Sequence, residues 1–437
     1  MKLIRNRFVM AVFAICTFGA VTHADSEPGI AVCWGQTADG NHNPPQVMLK
    51  NLDAGDRMYF GIDLQGAMHS WGTITESWFP PAVTIGPFLA VSTGSGQNVI
   101  ALRTDGTITA WATSNQYGIL NVPTGNSFVQ ISSGQDHAAG LTSGGLIVSW
   151  GTTQVGWNND NPSEVPSGGP FSSVACGSWN IYAIRTNGTI AAAGYSGDGQ
   201  LSGIPTENDF VKVVGGWGHG LGLRSNGEIR TWGRNGEGER NLPSGLYRDI
   251  DAGGVNSIGL LLNGNVVVRG RDEYGLLTVP AIDGVTSVTI AGANAGALAP
   301  PPAIILGVVP VSGASIGGTA VRINGNNFPS SPTVTFGGAP ATDIVVVSPT
   351  LITAVTPAGT PGMAVVTVNS ASSESFYYRP SCDGDLDNNG TIDSSDLGLM
   401  LVNYGNCYES AVPEPQQQEP FILQSVETPS PLLLNKK

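Results

Sequence analysis

Short apolar stretches alternate with glycine- and proline-rich turns through most of the chain, and no segment before about residue 393 has the spacing of an amphipathic helix. The stretch from 131 to 151, ISSGQDHAAGLTSGGLIVSWG, is typical. Glycine supplies 60 of the 437 residues, charged residues are few, and Val, Ile and Thr are plentiful. This pattern favours a turn-dense, all-β protein.

A pair formed by a small residue and glycine recurs along the first 300 residues. The pairs are Ala54-Gly55, Thr93-Gly94, Ser133-Gly134, Cys176-Gly177, Gly215-Gly216, Ala252-Gly253 and Ala291-Gly292. Their glycines are 37 to 43 residues apart. A period near 40 residues in a β-rich chain indicates propeller blades, so seven pairs predict seven blades. We expect the small residues to lie near the axis, where the blades converge.

Each of the first six pairs is followed, 11 or 12 residues later, by a second glycine that predicts a tight hairpin. These turns are Gln65-Gly66, Asp105-Gly106, Gly144-Gly145, Asn187-Gly188, Asn226-Gly227 and Asn263-Gly264. Five residues further on, four of the six repeats have a tryptophan: Trp71, Trp111, Trp150 and Trp232. We expect these indoles to pack between neighbouring sheets.

The seventh pair has no such turn and no tryptophan strand after it. The missing strand is GIAVCWG near the start of the chain, in which Gly29 and Trp34 keep the same five-residue step. We expect residues 30–34 to pair with residues 295–299 and close the ring, because an open ring would leave bare sheet edges.

The stretches 131–151 and 214–238 resemble repeats of the regulator of chromosome condensation family, and the resemblance extends over roughly residues 29–299. It implies a seven-bladed β-propeller that binds other macromolecules. His137 and His219 match the histidine of the family's Gly-x-x-His position, where other repeats have Met58, Gln97, Asn180 and Asn256. No recurring nucleophile or acid accompanies these histidines, so we expect them to form scaffold hydrogen bonds.

Aromatic residues on the loops between strands are the candidate ligand face of the propeller, because large rigid rings supply contact area at low entropy cost. The candidates are Trp78, Tyr117, Trp157, Trp179, Trp217 and Tyr274, together with Phe79 and Tyr195.

A proline-rich linker, residues 300–302, separates the propeller (25–299) from a small β-sandwich (303–378). The second segment resembles the IPT/TIG immunoglobulin-like domains through Gly317-Gly318-Thr319, Phe336-Gly337-Gly338 and Thr356-Pro357. Such domains serve as spacers or adhesion modules, and no cluster of His, Cys or acidic residues in this one suggests chemistry.

Residues 379–407 are expected to form a short calcium-binding loop and helix. In the stretch DLDNNGTIDSSD, oxygen ligands fall at the positions of an EF-hand loop, with the sharp-turn glycine Gly390 at position 6. The predicted Ca²⁺ ligands are Asp385, Asp387, Asn389, Thr391 through its carbonyl, Asp393 and Asp396. The loop resembles a dockerin module, which normally has two such loops. Cys382 and Cys407 bracket the module and are expected to pair, whereas Cys33 and Cys176 are interpreted as small buried residues.

The ends of the chain and its charge predict an exported protein. Residues 1–24 resemble a signal peptide cleaved near Ala24, and residues 408–437 are proline- and glutamine-rich and expected to be disordered. The net charge is −14, and loss of Lys2, Arg5 and Arg7 with the leader makes it −17. Such a surface repels nucleic acid and anionic lipid, and no later segment is long and apolar enough to span a membrane.

Three functions remain open from the sequence. The first is a secreted or cell-surface, non-enzymatic protein that binds an extracellular protein or glycan, with a calcium-stabilised module that docks, for example on a cohesin-like protein. The second is an exported enzyme acting on polysaccharide, which would need two carboxylates across a cleft. The acids Asp136, Asp198, Glu237 and Asp272 form no recurrent pair. The third is an inhibitor of an extracellular enzyme.

Overall fold

A computed structural model describes residues 27–36, 43–72, 83–84, 86–95, 97–152, 161–369 and 371–379, together with residues 394, 397 and 398. The chain divides into two compact units, Met1–Pro301 and Pro302–Lys437. Strands supply nearly all of the regular structure in both.

The first unit contains seven small antiparallel sheets within its described residues. The strands, in chain order, are β1 (Ile30–Gly35), β2 (Leu49–Ala54), β3 (Met58–Asp63), β4 (Met68–Gly72), β5 (Val83–Thr84), β6 (Phe88–Gly94), β7 (Asn98–Arg103), β8 (Ile108–Ala112), β9 (Phe128–Ser133), β10 (His137–Thr142), β11 (Ile147–Gly151), β12 (Phe171–Cys176), β13 (Asn180–Arg185), β14 (Ile190–Gly194), β15 (Phe210–Gly215), β16 (His219–Arg224), β17 (Ile229–Gly233), β18 (Tyr247–Gly253), β19 (Asn256–Leu261), β20 (Val266–Gly270), β21 (Ser287–Ala291) and β22 (Asn294–Ala299). Strands β2–β5 form blade 1. Blades 2 to 6 each take the next three strands, and blade 7 consists of β21, β22 and β1.

The first strand of each blade contacts the first strand of the next, and β21 contacts β2, so the seven sheets form a closed ring. These inner strands carry the small-Gly pairs and line an axial channel. The glycines of the hairpins after the second strands, such as Gly106 and Gly227, have φ values of +80° and +86°. That conformation favours glycine, which is why the sequence pattern marks these turns.

Strand β1 completes blade 7 as the sequence predicts. It runs antiparallel to β22 with Ile30 opposite Ala299 and Trp34 opposite Ala295. The Trp34 indole N–H donates to the Leu276 carbonyl at 3.0 Å. Trp150 and Trp232 donate in the same way to the carbonyls of Ile119 and Gln200. The N-terminal strand therefore supplies the packing group and the hydrogen bond that internal strands supply in other blades.

The expected indole core between blades is confirmed for most repeats. Trp71, Trp150 and Trp232 are buried, whereas Trp111 is half-buried and packs edge-on against Phe88. In blade 4 the position is occupied by Ala193.

The second unit is a two-sheet sandwich. Its strands are β23 (Ile304–Val309), β24 (Ser312–Ala314), β25 (Ala320–Asn326), β26 (Val334–Phe336), β27 (Ala339–Pro340), β28 (Thr342–Ser348), β29 (Leu351–Val355), β30 (Gly362–Val368) and β31 (Ala371–Arg379). One sheet has the order β23-β25-β29-β28 and the other β24-β31-β30-β26-β27. Alternate residues of β25, including Val321 and Ile323, point into a core that contains Phe336 and Phe376.

Candidate functional site

The turns between the first and second strands of all seven blades meet around one mouth of the axial channel. In blade 7, Ala291 pairs with Asn294 as Gly253 pairs with Asn256, so Ala291 holds the position of the recurring glycine and Gly292 follows it. With that register, one residue per blade lines the mouth: Asp56, Ser95, Gln135, Ser178, Trp217, Gly254 and Gly292. We call these seven residues the mouth ring.

Hydrogen bonds between blades hold the mouth ring in place. The Gln135 N–H donates to the Ser178 carbonyl at 3.1 Å, and the Trp217 N–H donates to the Gly254 carbonyl at 2.6 Å. On the other side of the mouth, the Asn294 amide donates to the Asp56 carbonyl at 2.9 Å. The ring backbone is therefore fixed, and its side chains are the variable part of the surface.

An aromatic cluster lies beside the ring on blades 4 and 5. The Trp179 ring centroid is 5.6 Å from that of Trp217 and 5.8 Å from that of Tyr195. The Arg234 guanidinium lies 5.9 Å from the Trp217 ring centroid. Trp217 is still 42% exposed. Trp, Tyr and Arg are the residues most enriched in interface hot spots, so the cluster has the composition of a protein-binding surface.

Charged side chains extend this surface onto blade 6. Glu237 lies 3.7 Å from an Arg234 nitrogen and 3.0 Å from an Arg271 nitrogen, and Arg271 also pairs with Glu273 at 3.2 Å. These alternating charges surround the cluster with hydrogen-bonding groups. We call the aromatic cluster and these charged residues, together with the mouth ring, the turn face.

The buried side chain of Glu239 contacts the Arg234 guanidinium. Its Oε1 atom is 3.5 Å from Arg234 Nη1, and its Oε2 accepts the Glu237 N–H at 2.8 Å. The Glu239 side chain is fully buried. Burying a carboxylate is costly, so this pair serves to position Arg234 beside Trp217 and adds little to stability.

The axial channel, about 510 Å³ in volume, is lined by three aspartates that no sequence motif marks, Asp53, Asp249 and Asp251. Asp53 accepts hydrogen bonds from the N–H and hydroxyl of Thr93, and Asp251 accepts from the Ile290 N–H at 2.9 Å. Asp249 pairs with Lys212 at 2.7 Å. Each carboxylate thus satisfies a backbone N–H or a cation on an adjacent blade.

The channel environment changes the ionisation of these groups. Withdrawal from bulk water, followed by the charge of Asp251, raises the pKa of Asp53 to about 7. Withdrawal from water also raises the pKa of Asp251, although Lys212 opposes the shift. Perturbed carboxyls often mark catalytic sites. The oxygens of Asp53 and Asp251 accept hydrogen bonds from neighbouring blades, and this structural role accounts for the two buried carboxyls.

The two repeat histidines also join blades. His219 Nε2 lies 2.9 Å from the Ser257 hydroxyl, and His137 Nε2 lies 3.4 Å from the Asn180 carbonyl. Burial lowers the pKa of His219 to about 3 and that of His137 to about 4. In blade 2 the position of the repeat histidine is occupied by Asn98 and not by the predicted Gln97, because the turn before it is one residue longer.

The structure brings together only some of the predicted ligand-face residues. Trp179 and Trp217 are in contact, whereas Tyr117 and Tyr274 are single exposed rings on the loops after β8 and β20. Trp78, Phe79 and Trp157 lie outside the described residues. The arginines and glutamates of the turn face carried no sequence signal, because the pair that joins them, Arg271 with Glu237, connects loops of different blades. The mouth ring could have been found by aligning the repeats.

The predicted calcium ligands and the Cys382–Cys407 pair also lie outside the described residues. Within the described part of the chain, no group of three or more His, Cys, Asp or Glu side chains could hold a metal ion. Cys33 and Cys176 are free thiols. No helix in the same residues is long and apolar enough to cross a membrane.

Two family models match parts of the chain. The model of the regulator of chromosome condensation (RCC1) repeat matches residues 210–239, which contain Trp217 and Arg234. The IPT/TIG domain model matches residues 303–380. The chain carries an RCC1 repeat and an IPT/TIG domain.

Solved structures resemble the propeller. Human WBSCR16 is 16% identical, with a TM-score of 0.50 over 63% of this chain and 99% of that one. The ectodomain of the Physcomitrella patens receptor kinase CR4 is 21% identical, with a TM-score of 0.45 over 58% of this chain and 72% of that one. Prp20p from Saccharomyces cerevisiae, studied for its binding to Gsp1p and histones, is 15% identical, with a TM-score of 0.48 over 64% of this chain and 94% of that one. The human structure shares its fold with this chain.

Proposed function

We propose that this chain is an exported, non-enzymatic binding protein that holds a protein partner on the turn face of its propeller. The observation that carries the proposal is the contact of Trp179, Tyr195 and Trp217 beside Arg234, on a backbone fixed by bonds between blades. A rigid surface binds without an ordering cost, and half-exposed indoles supply contact area.

The enzyme alternative has weaker support. The channel is the one place in the described residues where we find acids with raised pKa values close together, and their oxygens accept bonds from neighbouring blades. A general acid and base must be free to reach substrate. An inhibitor of an extracellular enzyme would use the same turn face and differs from the main proposal in its partner alone.

The test is capture on the immobilised full chain, from extracellular proteins and in parallel from a panel of soluble glycans. The variant Trp179→Ala/Trp217→Ala should lower affinity for a captured protein at least about thirtyfold, as for two hot-spot residues. The control Leu146→Ala/Leu262→Ala removes exposed apolar side chains at the hairpin end of the ring and should bind like the wild type. Equal capture by both variants, or capture of glycans alone, would contradict the proposal.

We further propose that the chain is exported and that residues 385–396 bind calcium. The support is the N-terminal leader and the all-oxygen ligand set from Asp385 to Asp396 with Gly390 at the turn. Calcium and the expected Cys382–Cys407 bridge would then stabilise a module too small to fold by core burial alone. N-terminal sequencing of secreted protein should begin at Asp25.

A further inference from the structure

The mouth ring has an opening on one side. Trp217 and Asp56 project from blades 5 and 1, and the ring residues between them, Gly254 and Gly292, have no side chains. The recess at the mouth has a volume of about 280 Å³ and is lined by all seven ring residues and, in addition, by Val255, Asn256, Arg271 and Glu273. It is large enough for one long side chain of a bound protein.

The space around both glycines is tight, at Gly254 against backbone and at Gly292 against the Asp56 side chain. A Cβ atom on Gly292 would lie 2.9 Å from Asp56 Oδ1, and one on Gly254, where φ is +55°, would lie 3.0 Å from the Gly292 Cα. The Gly292 N–H donates to the Asp56 carboxylate. The Gly292 N–H therefore holds the Asp56 carboxylate at the recess, and a Cβ at position 292 would push that carboxylate away.

Charge around the recess favours a cation. The channel wall carries Glu27, Asp53, Asp56, Asp249 and Asp251 against the two cations Lys212 and Arg248, and the raised pKa values of Asp53 and Asp251 reduce this excess of negative charge. Arg271 is neutralised by Glu237 and Glu273, at 3.0 and 3.2 Å. The net charge of the chain, −14, acts in the same direction over longer distances.

We propose that the recess accepts an arginine side chain of the protein bound on the turn face. The planar guanidinium suits the Asp56 carboxylate and stacks on indole rings such as Trp217, while the methylene stem fits above the two glycines. This inference rests on the proposed function and names the chemistry of the partner. An anionic partner residue would meet the Asp56 carboxylate and is disfavoured, although the charge of Arg57 acts on Asp56 in the opposite sense.

The test uses the full chain and two small probes, N-acetyl-arginine N-methylamide and its neutral isostere N-acetyl-citrulline N-methylamide, at pH 7.5. Binding is followed by the NMR shift of the Trp217 indole N–H, assigned with Trp217→Phe. We expect a saturable shift with the arginine probe and up to about fivefold weaker binding of the citrulline probe, as for one partly exposed ion pair.

Asp56→Asn should remove the preference for arginine over citrulline. Asp198→Asn, which neutralises an exposed aspartate outside the recess, should keep it. Equal binding of the two probes, a preference unchanged by Asp56→Asn, or no saturable shift in the wild type would each overturn the inference. The proposed function fails separately, through unchanged protein capture by Trp179→Ala/Trp217→Ala.

Discussion

Replacing Trp34 tests whether the N-terminal strand closes the propeller. The Trp34 side chain is 5% exposed, and its indole N–H donates to the carbonyl of Leu276, 242 residues away. Truncation of a buried tryptophan to alanine costs about 3–5 kcal/mol, and the Leu276 carbonyl would lose its donor. We therefore expect Trp34→Ala to destabilise the propeller by about 4 kcal/mol, which corresponds to a fall of roughly 10 °C in its melting temperature.

Hydrogen exchange locates the effect. If β1 detaches from β22, the amides of residues 294–299 that bond to β1 lose their acceptors, whereas those that bond to β21 keep them. A loss of about 4 kcal/mol in opening free energy accelerates their exchange about a thousandfold. Trp111→Ala is the matched control, because it changes the same repeat position at a half-buried site and should cost about 2 kcal/mol. The closure argument is refuted if Trp34→Ala lowers the stability of the propeller no more than Trp111→Ala does and the β22 amides keep their protection from exchange.

Three further predictions concern the channel, the histidines and the calcium loop. The pKa of Asp53, about 7 against an ordinary 3.8, means that the folded protein binds this proton more tightly, so stability is lost as pH rises from about 4 to 7. Asp53→Asn should therefore stabilise the protein at pH 8 and have little effect near pH 4, and urea unfolding at the two pH values measures the difference; a loss of stability at pH 8 would contradict it. His219→Asn should be tolerated, because Asn256 fills the same position in blade 6, whereas His219→Leu should cost about 1–2 kcal/mol in thermal unfolding by removing the partner of Ser257. Calorimetry should show calcium binding that Asp385→Ala weakens at least tenfold and that Asp343→Ala, an exposed aspartate of the sandwich, leaves unchanged; equal affinities in the two variants would refute the assignment.

The repeat pattern predicted most of the propeller because local chemistry decides it. Hairpin glycines such as Gly106 and Gly227 adopt positive φ values that other residues avoid, so their positions are visible in the sequence. The role of β1 was also predictable, since Trp34 has the same spacing from its glycine as Trp111. In both cases a residue type reports a backbone or packing requirement of its own strand.

The turn face could be predicted only in part. Exposed aromatics were recognisable as candidates, and two of them, Trp179 and Trp217, are in contact. The sequence could not distinguish this pair from single rings such as Tyr117, because contact depends on which turns are adjacent around the ring.

The sequence by itself thus determined the expected number of blades, the closing strand and the positions of the turns, because each follows from a residue that the fold requires at the same place in every repeat. Tertiary structure alone decided which charges meet. Asp53 and Asp251 share the channel, and Glu237 bridges Arg234 and Arg271, because ring closure and long loops bring distant segments together. The recess at the mouth arises in the same way, because ring closure brings Asp56 of blade 1 beside Gly292 of blade 7.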